Sequence, residues 1–251
     1  MKKVIIITGA SSGIGKSIGN YLSEKGHIVY GTSRKPEKYP KSEFTLVKSD
    51  INKKSDILDL VNYVTTNEGR IDVLINNAGI GYTGPVEESR IEDIESLFST
   101  NFFGPIEMIK NTLPVMRKNN SGLIINITSI AGYIGLPFRG IFCASKSALE
   151  ILTESLRSEI KDYGIKVVNV APGDVKTDVV SRRIDSFNDK VVVEKYLDDK
   201  YFGEGLTVIN DNVLQLTWKN KIGFIYDPNS LDLINSFNYD KNTEGWGLAN
   251  D

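Results

Sequence analysis

Short aliphatic and β-branched runs alternate with amphipathic stretches along the first 180 residues. The runs Val4 to Thr8, His27 to Thr32, Phe44 to Ser49, Val73 to Asn76, Leu123 to Thr128 and Lys166 to Ala171 predict six strands. Several are apolar at consecutive positions, the mark of strands that helices cover on both faces. Between the first two, Ile14, Ile18, Tyr21 and Leu22 recur at helical spacing, and Gly26 is placed to end that helix. Ser55 is expected to cap a helix whose buried stripe is Ile57, Leu60, Val61 and Val64. Pro105 and Pro114 fall in an otherwise helical stretch and predict a kink or a late start. This alternation predicts βαβ units in a doubly wound parallel sheet of the α/β class.

Beyond about residue 180 the texture changes. The segment is rich in Asn and Asp, holds both tryptophans, Trp218 and Trp246, and joins strand-like runs by turn signals such as Asp227-Pro228-Asn229-Ser230. Glu204-Gly205 with Asn210-Asp211 is echoed by Glu244-Gly245 with Asn250-Asp251. A repeat of this length made of short strands points to propeller blades rather than further βαβ units. The expected division is therefore an α/β domain over 1–180 and a β-rich tail over 184–251.

At 251 residues the chain can form one α/β domain with a smaller appendage. A net charge of -2 gives no broad field for nucleic acid or an anionic membrane, which leaves a small molecule as the expected ligand. The single cysteine, Cys143, and single histidine, His27, argue against a disulfide, a zinc centre or a serine-histidine triad, so no metal is expected. The apolar run Val4-Ile5-Ile6-Ile7 stops at Thr8-Gly9, too short for a secretion signal, and no stretch approaches a membrane span. A soluble cytoplasmic protein is the expectation.

The chemistry begins at the first strand. Thr8-Gly9-Ala10-Ser11-Ser12-Gly13-Ile14-Gly15 follows a strand and opens a helix. Glycines there let the backbone turn tightly against a pyrophosphate, whose charge the free N–H groups of the helix start stabilise. That spacing, with Asn76-Asn77-Ala78-Gly79 after the fourth strand and Pro172-Gly173 after the sixth, resembles the classical short-chain dehydrogenase/reductase family over residues 1 to about 178. The resemblance implies a Rossmann domain with Asn77, Ala78 and Gly79 along the adenine side of a nicotinamide cofactor and Asp50 at the adenine. It places Gly173 and Val175 near the nicotinamide amide, in the passage Pro172-Gly173-Asp174-Val175-Lys176-Thr177. The second strand ends Thr32-Ser33-Arg34-Lys35, with no carboxylate before Glu37. A cationic fork beside a hydroxyl suits a 2′-phosphate, so NADP(H) is expected, read by Arg34 and Ser33.

In this family a tyrosine hydroxyl exchanges the proton that accompanies hydride transfer between a carbonyl or alcohol and the nicotinamide. A lysine four residues later holds the ribose, a serine polarises the substrate oxygen, and an asparagine supports a water chain behind the lysine. Asn101, Ser129 and Lys146 match that pattern, but Phe142 stands where the tyrosine belongs. Phenylalanine keeps the ring and lacks the group that carries the proton, so impaired turnover is expected. Tyr133 is expected in the loop after the strand, without a lysine one turn on. Tyr196 and Lys200 have the spacing, yet Arg183 occupies the corresponding serine position.

In the tail, Tyr201-Phe202-Gly203-Glu204-Gly205-Leu206-Thr207, Gln215-Leu216-Thr217-Trp218-Lys219 and Glu244-Gly245-Trp246-Gly247-Leu248 resemble the β-propeller type of glutaminyl-peptide cyclotransferase. That resemblance implies a pocket including Glu204, Trp218, Glu244 and Trp246. A propeller closes only as a ring of about four to eight blades, and the tail is long enough for between one and two. The preferred reading is a junction near residues 178–184 between unrelated pieces, leaving the Rossmann sheet C-terminally incomplete, with a bare edge. A divergent substrate region of a reductase is the alternative. Three functions are open: an impaired NADP(H)-dependent oxidoreductase of carbonyl or alcohol substrates, a non-catalytic NADP(H)-binding protein, and a cyclotransferase fragment fused to a truncated reductase. Family members often form dimers or tetramers through surfaces that include the altered C-terminal part, so a homo-oligomer and a monomer both stay open, and neither nucleic acid nor membrane is expected as partner.

Overall fold

The computed structural model describes residues 2–173, 175, 184–185, 203–209 (backbone), 212–217, 221–228 and 230–239. The chain divides into two units, Met1–Asn188 and Asp189–Asp251. The first unit runs β1 (Val4–Ile7), α1 (Gly13–Glu24), β2 (Ile28–Ser33), β3 (Thr45–Lys48), α2 (Lys54–Glu68), β4 (Val73–Asn76) and β5 (Tyr82–Thr83). It continues through α3 (Ile91–Phe98), α4 (Gly104–Lys118), β6 (Gly122–Ile127), α5 (Gly140–Ile160), β7 (Ile165–Val170) and β8 (Ile184–Asp185).

Six of these strands form a parallel sheet in the order β3-β2-β1-β4-β6-β7, the doubly wound Rossmann arrangement. Each predicted strand is present, with ends shifted by a residue or so. Alternate side chains serve opposite faces. Val4, Ile6, Leu74, Ile124 and Val167 pack with the α2 stripe Ile57, Leu60, Val61 and Val64 and with Met108, Ile109, Leu113 and Met116 of α4. Ile5, Ile7, Ile75 and Ile127 form the second core with Ala10 and Phe44, against which Ile18 and Leu22 of α1 pack.

Two local expectations need correction. Helix α2 starts at Lys54 after Lys53, so Ser55 lies inside it and its hydroxyl donates to Asp56 Oδ1 at 3.4 Å. Asp56, in the first turn, instead accepts the Asp50 N–H at 3.0 Å and anchors the entering loop. Tyr21 is exposed, its ring 5.4 Å from Lys25 Nζ. The reason is close packing on the other side of α1: Gly15 and Gly19 are buried, and a Cβ at Gly19 would lie 2.5 Å from the Phe44 ring. Around the prolines, α3 passes through a π turn, Ser99–Phe103, into α4, with Pro105 in the first turn and Pro114 tolerated inside. Gly26 follows α1 with φ +82°, as the terminator it was expected to be.

The sheet margin at β7 exposes Lys166, Val168 and Val170 on one face. Short β5 pairs with β8 through Tyr82–Ile184 and Thr83–Asp185. Between β4, β6 and α5 runs a buried polar ladder: Asn76 donates to Asn126 Oδ1 at 2.9 Å, and Asn126 donates to Thr153 Oγ1 at 2.8 Å.

The second unit contains β9 (Gly203–Ile209), β10 (Asn212–Thr217), β11 (Ile222–Tyr226) and β12 (Leu233–Asn238), an antiparallel meander in the order β12-β11-β10-β9. This is the make-up of one propeller blade. Among its described side chains Val213, Thr217 and Phe224 are buried, and the Thr217 hydroxyl donates to the Ile222 carbonyl at 2.9 Å, tying β10 to β11. The second copy of the sequence echo lies outside the described residues, as do Trp218, Glu244 and Trp246 and the side chain of Glu204.

The polar ladder gives a stability prediction. Asn126→Ala removes the acceptor of Asn76 in a site that water does not reach, and an orphaned buried donor costs about 1–3 kcal/mol. A urea titration is expected to show a lower midpoint for this variant, with the cooperativity of the first unit retained; an unchanged midpoint would deny the ladder its structural role.

Candidate functional site

The strand order reverses between β1 and β4, and a doubly wound sheet opens a crevice at such a point. The two strand ends are stitched together by polar groups from the glycine-rich segment and from the Asn77 turn. Thr8 Oγ1 accepts the N–H groups of Asn77 and Ala78, each at 3.0 Å. The Asn77 side-chain amide returns the contact, donating to the carbonyls of Thr8 at 2.9 Å and Gly9 at 3.1 Å. Thr32, at the end of β2, accepts from Gly9 N and Ala10 N. Gly9 has φ +65°, and a Cβ there would lie 2.9 Å from Ala78 Cα, so the loop passes this close to β4 only as glycine. Helix α1 then opens with no acidic residue in its first turn, leaving its N–H groups and positive dipole end to an anion.

The crevice holds a cavity of about 660 Å³, within the usual range for ligand sites. Gly9, Ser11, Ser12, Gly13, Ile14, Ser33, Arg34, Asp50, Asn77, Ala78 and Gly79 line it at one end or along its floor. Ser129, Phe142, Lys146, Pro172, Gly173 and Val175 line it too, so residues spread over the first 175 positions converge. Thr8, Gly15 and Asn101 are not among the lining residues; Thr8 ties the loop, and a Cβ at Gly15 would lie 2.4 Å from Asn77 Nδ2. Thr177 lies outside the described residues, as do Arg183, Tyr196 and Lys200. Beyond the residues read from sequence, Lys35, Lys38, Asn52 and Arg139 line the cavity. Exposed Arg34, Lys35 and Lys38 stand together at the β2 end, while Glu37, between them in sequence, does not line it.

Asn101 sits fully buried in the π turn, a helix irregularity common at functional sites. Its carbonyl oxygen accepts from Ile80 N at 2.9 Å, and its amide donates to Ile80 O at 3.0 Å and Ser145 Oγ at 3.1 Å. Ser129 precedes a short turn, Ile130–Gly132, and its hydroxyl accepts from Ala131 N at 3.2 Å. Phe142 and Lys146 occupy one face of α5, with Lys146 Nζ 5.9 Å from the Phe142 ring centre and donating to the Ile127 carbonyl at 3.0 Å. Tyr133 follows the short turn, as expected, and its hydroxyl donates to Glu150 at 2.9 Å. Glu150 itself was missed by the sequence reading. It lies buried one helical turn after Lys146, also accepts from Asn169, and has a second oxygen without a partner among the described residues. The spacing Lys146 to Glu150 on a helix was the signal available for it.

Burial pushes the Lys146 ammonium down from 10.5 to about 8, and the negative charge of Glu150 opposes that shift. Between about pH 8 and pH 10.5 the unfolded lysine therefore holds a proton that the folded one has released. Its contribution to stability rises with pH across that window. Melting temperatures taken from pH 7.5 to 10.5 are expected to fall less steeply for the wild type than for Lys146→Met; parallel curves would contradict the shift.

Residues 3–186 match the family model described as short chain dehydrogenase, and residues 163–251 match the one described as Glutamine cyclotransferase, so 163–186 fall in both. A 3-ketodihydrosphingosine reductase of Bacteroides thetaiotaomicron is 46% identical over 182 residues, 72% of this chain and 67% of the relative. A short-chain dehydrogenase from Streptomyces avermitilis superposes with a TM-score of 0.70 at 33% identity, covering 75% of this chain and 72% of that one. A tyrosine-to-phenylalanine variant of ElxO with NADPH bound gives 0.67 at 33% identity, covering 72% and 77%. Other neighbours hold NADP or NAD. With the sheet order, the glycine-rich turn and the family match over 3–186 in agreement, this chain belongs to the short-chain dehydrogenase family.

Proposed function

We propose that the chain binds NADP(H) along the crevice and handles a carbonyl/alcohol pair with impaired turnover, because Phe142 replaces the proton-transferring tyrosine. The residues fit the cofactor. The acid-free first turn of α1 and the backbone of Ser11 to Gly13 face its diphosphate, and Arg34, Lys35 and Lys38 supply positive charge for a 2′-phosphate. Asp50, with Asn77 to Gly79, serves the adenine side, and Gly173 and Val175 border the nicotinamide end. When bound, the nicotinamide donates or accepts the hydride.

The chain's own groups do the rest. Ser129 positions the substrate oxygen, and Lys146, fixed by Ile127, holds the ribose and presents positive charge near the Phe142 ring. Asn101 anchors the segment behind it through Ile80 and Ser145. The single observation that carries the impairment is the Phe142 ring in the tyrosine's place, facing Lys146 without a hydroxyl. The ElxO variant, which holds NADPH with a tyrosine replaced by phenylalanine, supports a reading in which cofactor binding and proton transfer are separable. A non-catalytic NADP(H)-binding protein is the second reading, favoured by the same ring. Cyclotransferase activity is not proposed for the tail, whose described strands make up one blade.

Phe142→Tyr is expected to raise NADPH oxidation with a panel of ketones by about 10²- to 10⁴-fold, the usual contribution of a positioned acid. Substantial wild-type turnover that the substitution does not raise would remove Phe142 from the reaction. For the cofactor, Arg34→Ala is expected to weaken NADPH about tenfold or more and leave NADH unchanged in fluorescence titrations. Equal affinities for the two coenzymes, untouched by the substitution, would overturn phosphate recognition.

A further inference from the structure

We infer that the substrate carries an oxyanion, a carboxylate or phosphate, held by Arg139 at the Ser129 and Phe142 end of the cavity; this rests on the cofactor and reaction reading above. Arg139 immediately precedes α5 and lines the cavity with Ser129, Phe142, Lys146, Gly173 and Val175. Its guanidinium lies 5.4 Å from the Phe142 ring centre, on the same ring that Lys146 approaches at 5.9 Å. The ring restrains the guanidinium by a cation–π contact but gives its N–H groups no oxygen to donate to. Arg139 Nε is shielded from solvent and has no hydrogen-bond partner among the described residues. A buried charged donor left in that state costs free energy, which a ligand oxygen arriving in the cavity recovers.

The other cations of the cavity have work to do. Lys146 donates to Ile127 and serves the ribose in the proposed reading, and Arg34, Lys35 and Lys38 stand at the β2 end. Arg139 forms no ion pair with any carboxylate among the described residues. A planar guanidinium with an unused donor, beside the serine that receives the substrate oxygen, matches the geometry of carboxylate and phosphate groups. A cationic substrate would meet repulsion from both Arg139 and Lys146. The sequence alone did not single Arg139 out, because only α5 brings it over the Phe142 ring.

The test is calorimetric titration of the full chain, with and without saturating NADP⁺. The probes are 4-oxopentanoate against its methyl ester, and dihydroxyacetone phosphate against dihydroxyacetone, with aminoacetone as the cationic comparison. At least one anion is expected to bind about tenfold or more tightly than its neutral partner, as a charge-assisted hydrogen bond implies. That gap is expected to fall below about twofold in Arg139→Met, which keeps an apolar stem against Phe142, and to survive in part in Arg139→Lys. Equal affinity within both pairs, tighter binding of aminoacetone, or a full gap persisting in Arg139→Met would each overturn the inference. A parallel NADPH titration of the unmodified chain reports on the cofactor reading separately, since the probe pairs are compared without coenzyme as well.

Discussion

The exchange of hydrogen bonds between Thr8 and Asn77 is the constraint on which the first unit's binding crevice depends. One hydroxyl accepts two backbone N–H groups of the β4 turn, and one side-chain amide closes the circuit on two carbonyls of the β1 loop. These bonds fix the path of the chain between β1 and α1, and that path aims the α1 amides into the crevice. A polar clasp in a sheltered position holds its geometry because every partner lost would leave a donor or acceptor stranded. The left-handed turn at Gly9 and the contact of Gly15 with Asn77 follow from how closely the clasp draws the two segments together.

At the far end of the cavity the organisation is electrostatic. Two cations flank one aromatic ring, and the more deeply buried, Lys146, has Glu150 one turn below it. Glu150 in turn is bound by Tyr133 and Asn169. The contact with Glu150 is also what raises the Tyr133 phenol above its ordinary value, with burial and charge adding to it. That hydroxyl is thereby engaged with the carboxylate on the far side of Lys146 in the sequence from Phe142.

Most of the first unit is legible in the sequence because parallel strands buried on both faces must be apolar along their length, and several of the six runs are, whereas the marginal strands β3 and β7 carry exposed polar positions. The α2 stripe was equally plain. What failed was local: Ser55 looked like a cap, but Asp56 one residue on carries the loop contact, and both residue types suit a helix start. Tyr21 fitted the periodicity of α1, yet two buried glycines turned the helix so that its ring faces outward. Most residues defined by a motif line the crevice, whereas Arg139 and Lys38 acquire meaning only from the neighbours that folding gives them, and Glu150 was marked in the sequence only by its helical spacing from Lys146. In the tail the strand-rich character was readable and matches the four-stranded meander, while the aromatic positions that would define a pocket fall outside the described residues.

The strand order has a consequence for how such a chain can arise. The clasp joins β1 to β4 in the interior of the sheet, and β6 separates β4 from β7 at the margin. Whatever follows β7 can be exchanged without severing a bond of the clasp, and the region matched by both families, 163–186, begins just before that outermost strand. An exchange there spares the clasp and the glycine-rich turn and replaces the Pro172, Gly173 and Val175 end of the crevice, so the β1 side of this architecture is more heritable than the end that β7 leads into.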